Sequence, residues 1–196
     1  DYLRALLDLA RLAEANRGSA SVRAAVDCFL RAPQLSPSWA GSLWPEVATA
    51  RCRLFSALKP SVSAVDAFPL PREGRRLRVV VIAPALNSQG LGASLMPLLE
   101  RIDRSRFELV VVSSDLASVL STHLKNRGAE LLPLETGSNV ISRMQTLMPD
   151  VIVFAAESGK SDELVYELSR QRLAPLQIWY DGLHESPGVP AIDLFL

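Results

Sequence analysis

LRVVVIA, residues Leu77–Ala83, is a nearly continuous apolar run, the first of several that decide the fold class of this chain. A strand with one face in water alternates apolar and polar residues, whereas a strand covered on both faces is apolar throughout. The pattern therefore predicts strands buried on both faces. Four similar short runs follow, at Phe107–Val112, Leu131–Leu134, Val151–Ala155 and Leu176–Tyr180.

Helix-length segments separate these runs. They lie at Gly92–Ile102, Leu116–Asn126, Val140–Met148 and Asp162–Arg170. Regular alternation of strand and helix is typical of a parallel sheet with helices on both faces. The sequence therefore predicts an α/β domain with a Rossmann-like, doubly wound parallel sheet over residues 76–196.

The first 67 residues have a different pattern, that of a small all-helical segment. Three stretches repeat apolar residues at helical spacing, beginning at Leu3, Val22 and Val47, and polar, glycine- or proline-containing segments separate them. A repeat of about 34 residues, as in helical repeat arrays, is not evident. Cys28 and Cys52 lie on the helical patterns, where we expect buried free thiols. Residues 68–75 are predicted to link this segment to the α/β domain.

Composition narrows the class of function. The 21 basic and 21 acidic side chains give a formal net charge of zero, which argues against a nucleic-acid-binding protein. No apolar run approaches the length needed to span a bilayer, and no secretory signal is visible. We therefore expect a cytoplasmic protein. Arg75, Arg76 and Arg78 form the densest basic cluster, interpreted as a solvated strand entry. No cysteine, histidine and carboxylate set has metal-ligand spacing, so no metal is expected.

Ligands of doubly wound sheets bind where loops leave the carboxyl ends of the strands. The first such loop, Pro84–Ser94, contains Gly90 and Gly92 and enters a helix whose free amides suit an anion. Leu95 stands where the dinucleotide fingerprint requires a third glycine. The loop is therefore a phosphate site, a tight turn, or a surface facing another lobe or a polypeptide.

The loop after the last predicted strand, Asp181–Asp193, is the most distinctive. His184 has the chemistry of a general base or a phosphate ligand, because its ordinary pKa lies near neutrality, and Asp181 and Glu185 are candidate partners. The alternative is an ordinary surface histidine. Ser158–Ser161 resembles the end of a phosphate-binding P-loop, but Phe154 replaces the required glycine, which excludes that motif.

The stretch Arg172–Asp193 (RLAPLQIWYDGLHESPGVPAID) resembles a signature of the O-GlcNAc transferase family and its relatives, the bacterial protein N-glucosyltransferases. That family combines an Ala-Pro-x-Gln block, a tryptophan-containing strand, a loop rich in glycine and proline, and a following aspartate. The opening strand and the approach to the second strand also fit. The matching residues of the signature are Ala174, Pro175, Gln177, Trp179, Gly182, Gly188, Pro190 and Asp193.

The resemblance implies the first lobe of a two-lobed GT-B glycosyltransferase, inactive alone, with the C-terminal nucleotide-sugar-binding lobe outside this chain. It implies a UDP-sugar donor, no metal or other cofactor, and a Ser/Thr or Asn side chain of an acceptor protein or peptide. Asn87, Gln89, Gly90 and Gly92 would line the cleft. The remaining assigned residues are His184 and Asp181 for acceptor-side chemistry and Glu185 beside them.

Two departures from the family pattern leave an alternative open. The loop after the first strand lacks the histidine that the family commonly carries there, and the last loop has His184-Glu185-Ser186 in place of the usual segment. The alternative is a non-catalytic, doubly wound binding module derived from such a lobe. A nucleotide-sugar dehydratase or epimerase is disfavoured, because Tyr166 is followed four residues later by Arg170 and not by lysine.

Overall fold

A computed structural model describes residues 2–31, 41–58, 74–84, 86, 90–135, 138–156, 163–180 and 188–196. The chain begins with the three predicted helical stretches. They are α1 (Tyr2–Ala15), α2 (Ala20–Arg31) and α3 (Trp44–Leu58), with a 3₁₀ turn at Gly41–Leu43 before α3. Buried residues of the three helices, among them Leu6, Val26 and Leu54, form a core of their own. No helix within the described ranges is both long and apolar enough to cross a bilayer.

Strands and helices then alternate as predicted. The elements are β1 (Leu77–Ile82), α4 (Leu91–Arg101), β2 (Phe107–Ser113), α5 (Val119–Asn126), β3 (Glu130–Pro133), α6 (Ser138–Leu147), β4 (Val151–Ala155), α7 (Glu163–Ser169), β5 (Leu176–Tyr180) and β6 (Leu194–Phe195). The strands form one six-stranded sheet in the order β3-β2-β1-β4-β5-β6, and every pairing is parallel. The fold class is the predicted Rossmann-like one.

Both faces of the sheet are covered, which explains the continuous apolar runs. Alternate residues of β1 point to opposite faces: Val79 and Val81 pack with Leu95 and Leu99 of α4, whereas Val80 and Ile82 pack into a second core. Met144 of α6 and Leu168 of α7 contribute to that second core. Each central strand therefore buries side chains on both sides, and no polar alternation appears.

The sequence missed one strand and placed one helix start three residues early. β6 has only two residues and joins the sheet by backbone bonds from Asp193 N to Gln177 O and from Leu196 N to Trp179 O, both 2.9 Å. A two-residue strand has no periodicity to detect. α5 begins at Val119 because the Ser118 hydroxyl accepts a hydrogen bond from the Ser121 N–H at 3.1 Å and caps the helix.

The sequence suggested that the basic cluster before β1 is a solvated strand entry, but two of its three arginines are ion-paired and only Arg76 fits that description. Arg75 donates two hydrogen bonds to the buried carboxylate of Asp150, which also accepts the Arg78 backbone N–H at 2.7 Å. The Arg78 guanidinium pairs with Glu108 on β2. Arg75 and Arg78 therefore tie β1 to β2 and to the start of β4, contacts that charge clustering alone does not reveal.

The helical segment contacts the α/β part through α3. Tyr166 of α7 packs against both the helical core and the second core of the sheet. It shares a hydrogen bond with Cys52 of α3 and meets the Trp179 ring edge-on, with centroids 6.3 Å apart. Burial raises the pKa of the Tyr166 hydroxyl well above its ordinary value and also raises the pKa of the Cys52 thiol. Cys52 is buried and free, as expected, whereas the side chain of Cys28 lies outside the described residues.

Candidate functional site

The sheet order places the candidate site at the carboxyl ends of β1, β4 and β5. Successive connections run from β1 outward to β2 and β3 on one side, and from β4 to β5 and β6 on the other. The order therefore reverses between β1 and β4, and the crevice outside this switch point is where doubly wound sheets bind ligands. The loops that leave β1, β4 and β5 emerge at this edge.

The loop after β1 is held at its base by β2. The backbone N–H and the hydroxyl of Ser114, and the buried hydroxyl of Ser113, all donate to the Pro84 carbonyl oxygen. Three donors on one oxygen fix the direction in which the chain leaves β1. This contact positions the start of the loop that contains Asn87, Gln89 and Gly90.

Gly90 is the N-cap of α4, and Gly92 lies buried in its first turn. The backbone of Gly90 has φ 56° and ψ −129°, a region that residues with a Cβ rarely adopt. Its carbonyl oxygen accepts the first helical hydrogen bond, from Ser94 N at 3.2 Å. Gly90 therefore supplies the backbone conformation from which α4 begins. The first amides of α4 have no acceptor within the helix. The assignment of Gly90 and Gly92 to cleft backbone stays a prediction.

The other assigned residues lie outside the described residues. Asn87 and Gln89 belong to the loop after β1, and the loop after β5 contains the rest, Asp181, His184 and Glu185. The chain leaves β5 at Tyr180 and is described again from Gly188. Because β5 ends at the switch-point edge, the loop starts where the assignment requires. Its catalytic and binding roles stay predictions.

The signature residues after α7 form a hydrogen-bonded network that anchors the return of this loop. Gln177 is fully buried. Its Oε1 accepts from Leu173 N at 2.6 Å, and its Nε2 donates to Ala191 O at 2.9 Å and to Ser169 O at 3.4 Å. The side chain therefore joins three segments that no backbone ladder connects. Gln177 of the block Ala174-Pro175-x-Gln177 therefore has a structural role.

Asp193 and Arg172 complete the network. The Arg172 guanidinium makes two hydrogen bonds to the Asp193 carboxylate, at 2.6 and 2.8 Å, and Asp193 also accepts the Gln177 N–H at 2.8 Å. Arg172 Nη1 additionally donates to Ala191 O at 3.1 Å. The segment between Gly188 and β6 is therefore pinned to β5. Sequence reasoning identified these residues as a signature but did not predict their contacts.

Asp193→Asn is expected to make the free energy of unfolding less dependent on pH in the acidic range than it is in wild type. Hydrogen bonding from Arg172 and the Gln177 N–H lowers the pKa of Asp193 in the folded chain below its ordinary value of 3.8. A carboxyl with a depressed folded pKa contributes stability that is present above its unfolded pKa and is lost as pH falls through the folded value. The loss of stability therefore begins at about pH 4 and continues as the pH falls further.

The measurement is urea unfolding between pH 2.5 and 7 for both proteins. The wild-type free energy of unfolding should fall more steeply below pH 4 than that of the variant. Asp8→Asn is the control, since Asp8 lies on the exposed face of α1 and pairs only with Arg11 at 3.4 Å among the described residues. Equal acid slopes for wild type and Asp193→Asn would contradict the assignment.

Within the described ranges, no three histidine, cysteine or carboxylate side chains come together in a way that could hold a metal ion. His123 lies on α5, with its Nε2 2.7 Å from the Glu100 carboxylate of α4. The pair therefore joins α5 to α4, away from the switch point.

Comparisons with known proteins bear on the fold. No protein-family model and no curated protein matches the chain. Among solved structures it is similar to a mutant of the O-GlcNAc transferase of Thermobaculum terrenum, with a TM-score of 0.61 and 20% sequence identity. The similarity covers 98% of this chain and 36% of that one, so this chain spans about a third of the transferase's length. The likeness confirms the predicted fold class, a helical segment followed by a Rossmann-like lobe of the GT-B type.

Proposed function

We propose that this chain is the helical segment and first lobe of a glycosyltransferase that transfers a sugar from a UDP-sugar to a side chain of an acceptor protein. The observation that carries the proposal is the extent of the structural likeness. It runs through the helices and the α/β part together, over 98% of the chain, and not through a generic sheet alone. The signature from Ala174 to Asp193 points to the same family.

The proposed roles of the two lobes follow from the loops at the carboxyl edge of the sheet. In a two-lobed enzyme the second lobe holds most of the nucleotide sugar, and the first lobe closes the cleft with its own switch-point loops. The free first amides of α4 would face the cleft and stabilise negative charge there, without a metal. Gly90 would permit a close approach to its backbone because it has no side chain of its own.

His184 is proposed to act on the acceptor side, with Asp181 orienting it. An imidazole beside a carboxylate keeps one nitrogen free to accept a proton from an attacking hydroxyl or amide. The network of Gln177, Asp193 and Arg172 supports this role indirectly, because it holds the end of the loop that carries His184.

The proposal is tested by a transfer assay on the longest natural polypeptide that contains this chain. The protein is incubated with a panel of UDP-sugars and a lysate of its source, and mass spectrometry is used to search for a hexose or N-acetylhexosamine increment. An increment on proteins would establish the transferase and identify its donor. No increment and no release of UDP from any donor would favour the non-catalytic binding module instead.

His184→Ala in that polypeptide is expected to lower kcat/KM for transfer by about 100- to 10,000-fold, the usual contribution of a general acid–base group. His123→Ala is the matched control, since this histidine lies on α5 and pairs with Glu100. Transfer and far-UV circular dichroism are measured for both variants. Full activity of His184→Ala, or an equal loss in both variants, would remove the catalytic assignment.

A further inference from the structure

Three arginines gather at the amino-terminal edge of the sheet, opposite the switch-point loops. Arg76 immediately precedes β1, Arg104 lies just before β2, and Arg127 follows α5 shortly before β3. These three strands are neighbours, in the order β3-β2-β1. Since the strands are parallel, their amino ends lie along one edge. Three cations that are far apart in sequence therefore come to the same corner.

Contacts within the corner hold the arginines close together. Arg76 Nη1 donates to the Arg104 carbonyl oxygen at 3.2 Å, which places the Arg76 side chain against the segment between α4 and β2. On the neighbouring helices, Glu100 and His123 are paired at 2.7 Å. The charge of Arg127, just after α5, lies close enough to Arg104 to lower the pKa of Arg104.

The arginines at this edge of the sheet differ in whether they have an ion-pair partner among the described residues. Arg75 and Arg78 pair with Asp150 and Glu108, but Arg76, Arg104 and Arg127 form no ion pair with a described carboxylate. Arg104 Nη2 donates to Leu99 O at 3.3 Å, whereas its Nη1 is buried without a hydrogen-bond partner. Burial and the nearby charge of Arg127 both lower the pKa of Arg104.

Helix C-termini alone do not account for this arrangement. A cation beside the last carbonyls of a helix is favourable, and Arg104 beside Leu99 O is such a cation. Like charges held together repel, however, and a half-buried guanidinium without a counterion is unfavourable. A bound anion would remove both penalties. Phosphate suits guanidinium groups because their forked donors match its oxygens.

We propose that Arg76, Arg104 and Arg127 form a binding site for a dianionic phosphate group, either free inorganic phosphate or a phosphate monoester. The exposed guanidiniums of Arg76 and Arg127 would contact the oxygens, and Arg104 between them would add to the positive potential. The site lies at the edge of the sheet opposite the proposed transfer site. It does not depend on the proposed function.

The test follows the arginine side chains directly in the full-length protein. The protein is labelled with ¹⁵N-arginine, and the Nε–Hε signals are recorded during titration with sodium phosphate at constant ionic strength, maintained with sodium chloride. Arg127→Gln is compared with Arg4→Gln, which changes an exposed arginine on α1 that forms no ion pair with a described residue and lies in the helical segment, away from this corner. A second titration uses glycerol phosphate.

Wild type and Arg4→Gln should show the same saturable shifts, and Arg127→Gln should bind phosphate about tenfold more weakly, as expected for the loss of one charge-assisted contact. Arg76→Gln should repeat the effect. Tighter binding of glycerol phosphate would identify a monoester as the ligand, and tighter binding of inorganic phosphate would identify the free anion. No saturable shift in wild type, or equal affinity in Arg127→Gln and Arg4→Gln, would overturn the site.

Discussion

Gly188→Ala is expected to lower the free energy of unfolding by about 2–5 kcal/mol, because it adds a clash to a conformational penalty. A Cβ built at Gly188 lies 2.6 Å from the Ala48 carbonyl carbon and 2.7 Å from the Thr49 nitrogen. These are backbone atoms of α3, which cannot rotate away as a flexible side chain would. The glycine also has φ +68°, in the left-handed region that disfavours residues with a Cβ.

Gly128→Ala is the matched control. Gly128 has a similar φ of +82°, but nothing lies within 4 Å of its Cβ position. It should therefore show only the conformational penalty, about 1–2 kcal/mol. Both variants are measured by urea unfolding, and hydrogen exchange of the α3 amides is followed in parallel. Equal losses in the two variants, without faster exchange in α3, would mean that the contact between Gly188 and α3 does not contribute.

The contact between Gly188 and α3 affects the loop that carries His184. Gly188 ends the loop that carries His184, and α3 belongs to the helical segment. The helices therefore brace one end of that loop, while Tyr166 and Cys52 join the same helix to α7. If the proposed function holds, Gly188→Ala should lower transfer activity at temperatures where the protein is still folded.

Gln177→Leu is expected to lower the free energy of unfolding by about 2–4 kcal/mol, although the two side chains have similar volumes. The substitution leaves the buried Leu173 N–H without its acceptor and removes a donor from Ala191 O and Ser169 O. Ala191 O keeps the Arg172 donor, so Leu173 accounts for most of the loss. Leaving a buried donor without an acceptor costs more free energy than an average hydrogen bond contributes.

Gln145→Leu controls for the change of residue type. Gln145 lies on the exposed face of α6 and is expected to change stability by no more than about 0.5 kcal/mol. Denaturant unfolding of both variants gives the comparison. A loss of less than about 1 kcal/mol for Gln177→Leu would show that the network does not hold β5 to the segment before β6.

The candidate site could be predicted from sequence only in part. The sheet edge follows from the order of strands and helices, because parallel strands place the loops that follow them at one end. Loop composition singles out Gly90, and its positive φ is a backbone conformation that favours glycine. Asn87, Gln89, Asp181, His184 and Glu185 remain assignments by resemblance and loop position.

The order of elements and the fold class follow from local sequence patterns. LRVVVIA and the similar runs predict strands buried on both faces, and the helical spacing before residue 67 predicts the first three helices, because periodicity is a local property. Three features are seen only in the folded chain: the pairing of Arg75 and Arg78 with Asp150 and Glu108, the network around Gln177 and Asp193, and the contact of Gly188 with α3. These contacts join residues that are distant along the chain, and no local pattern encodes which of them meet.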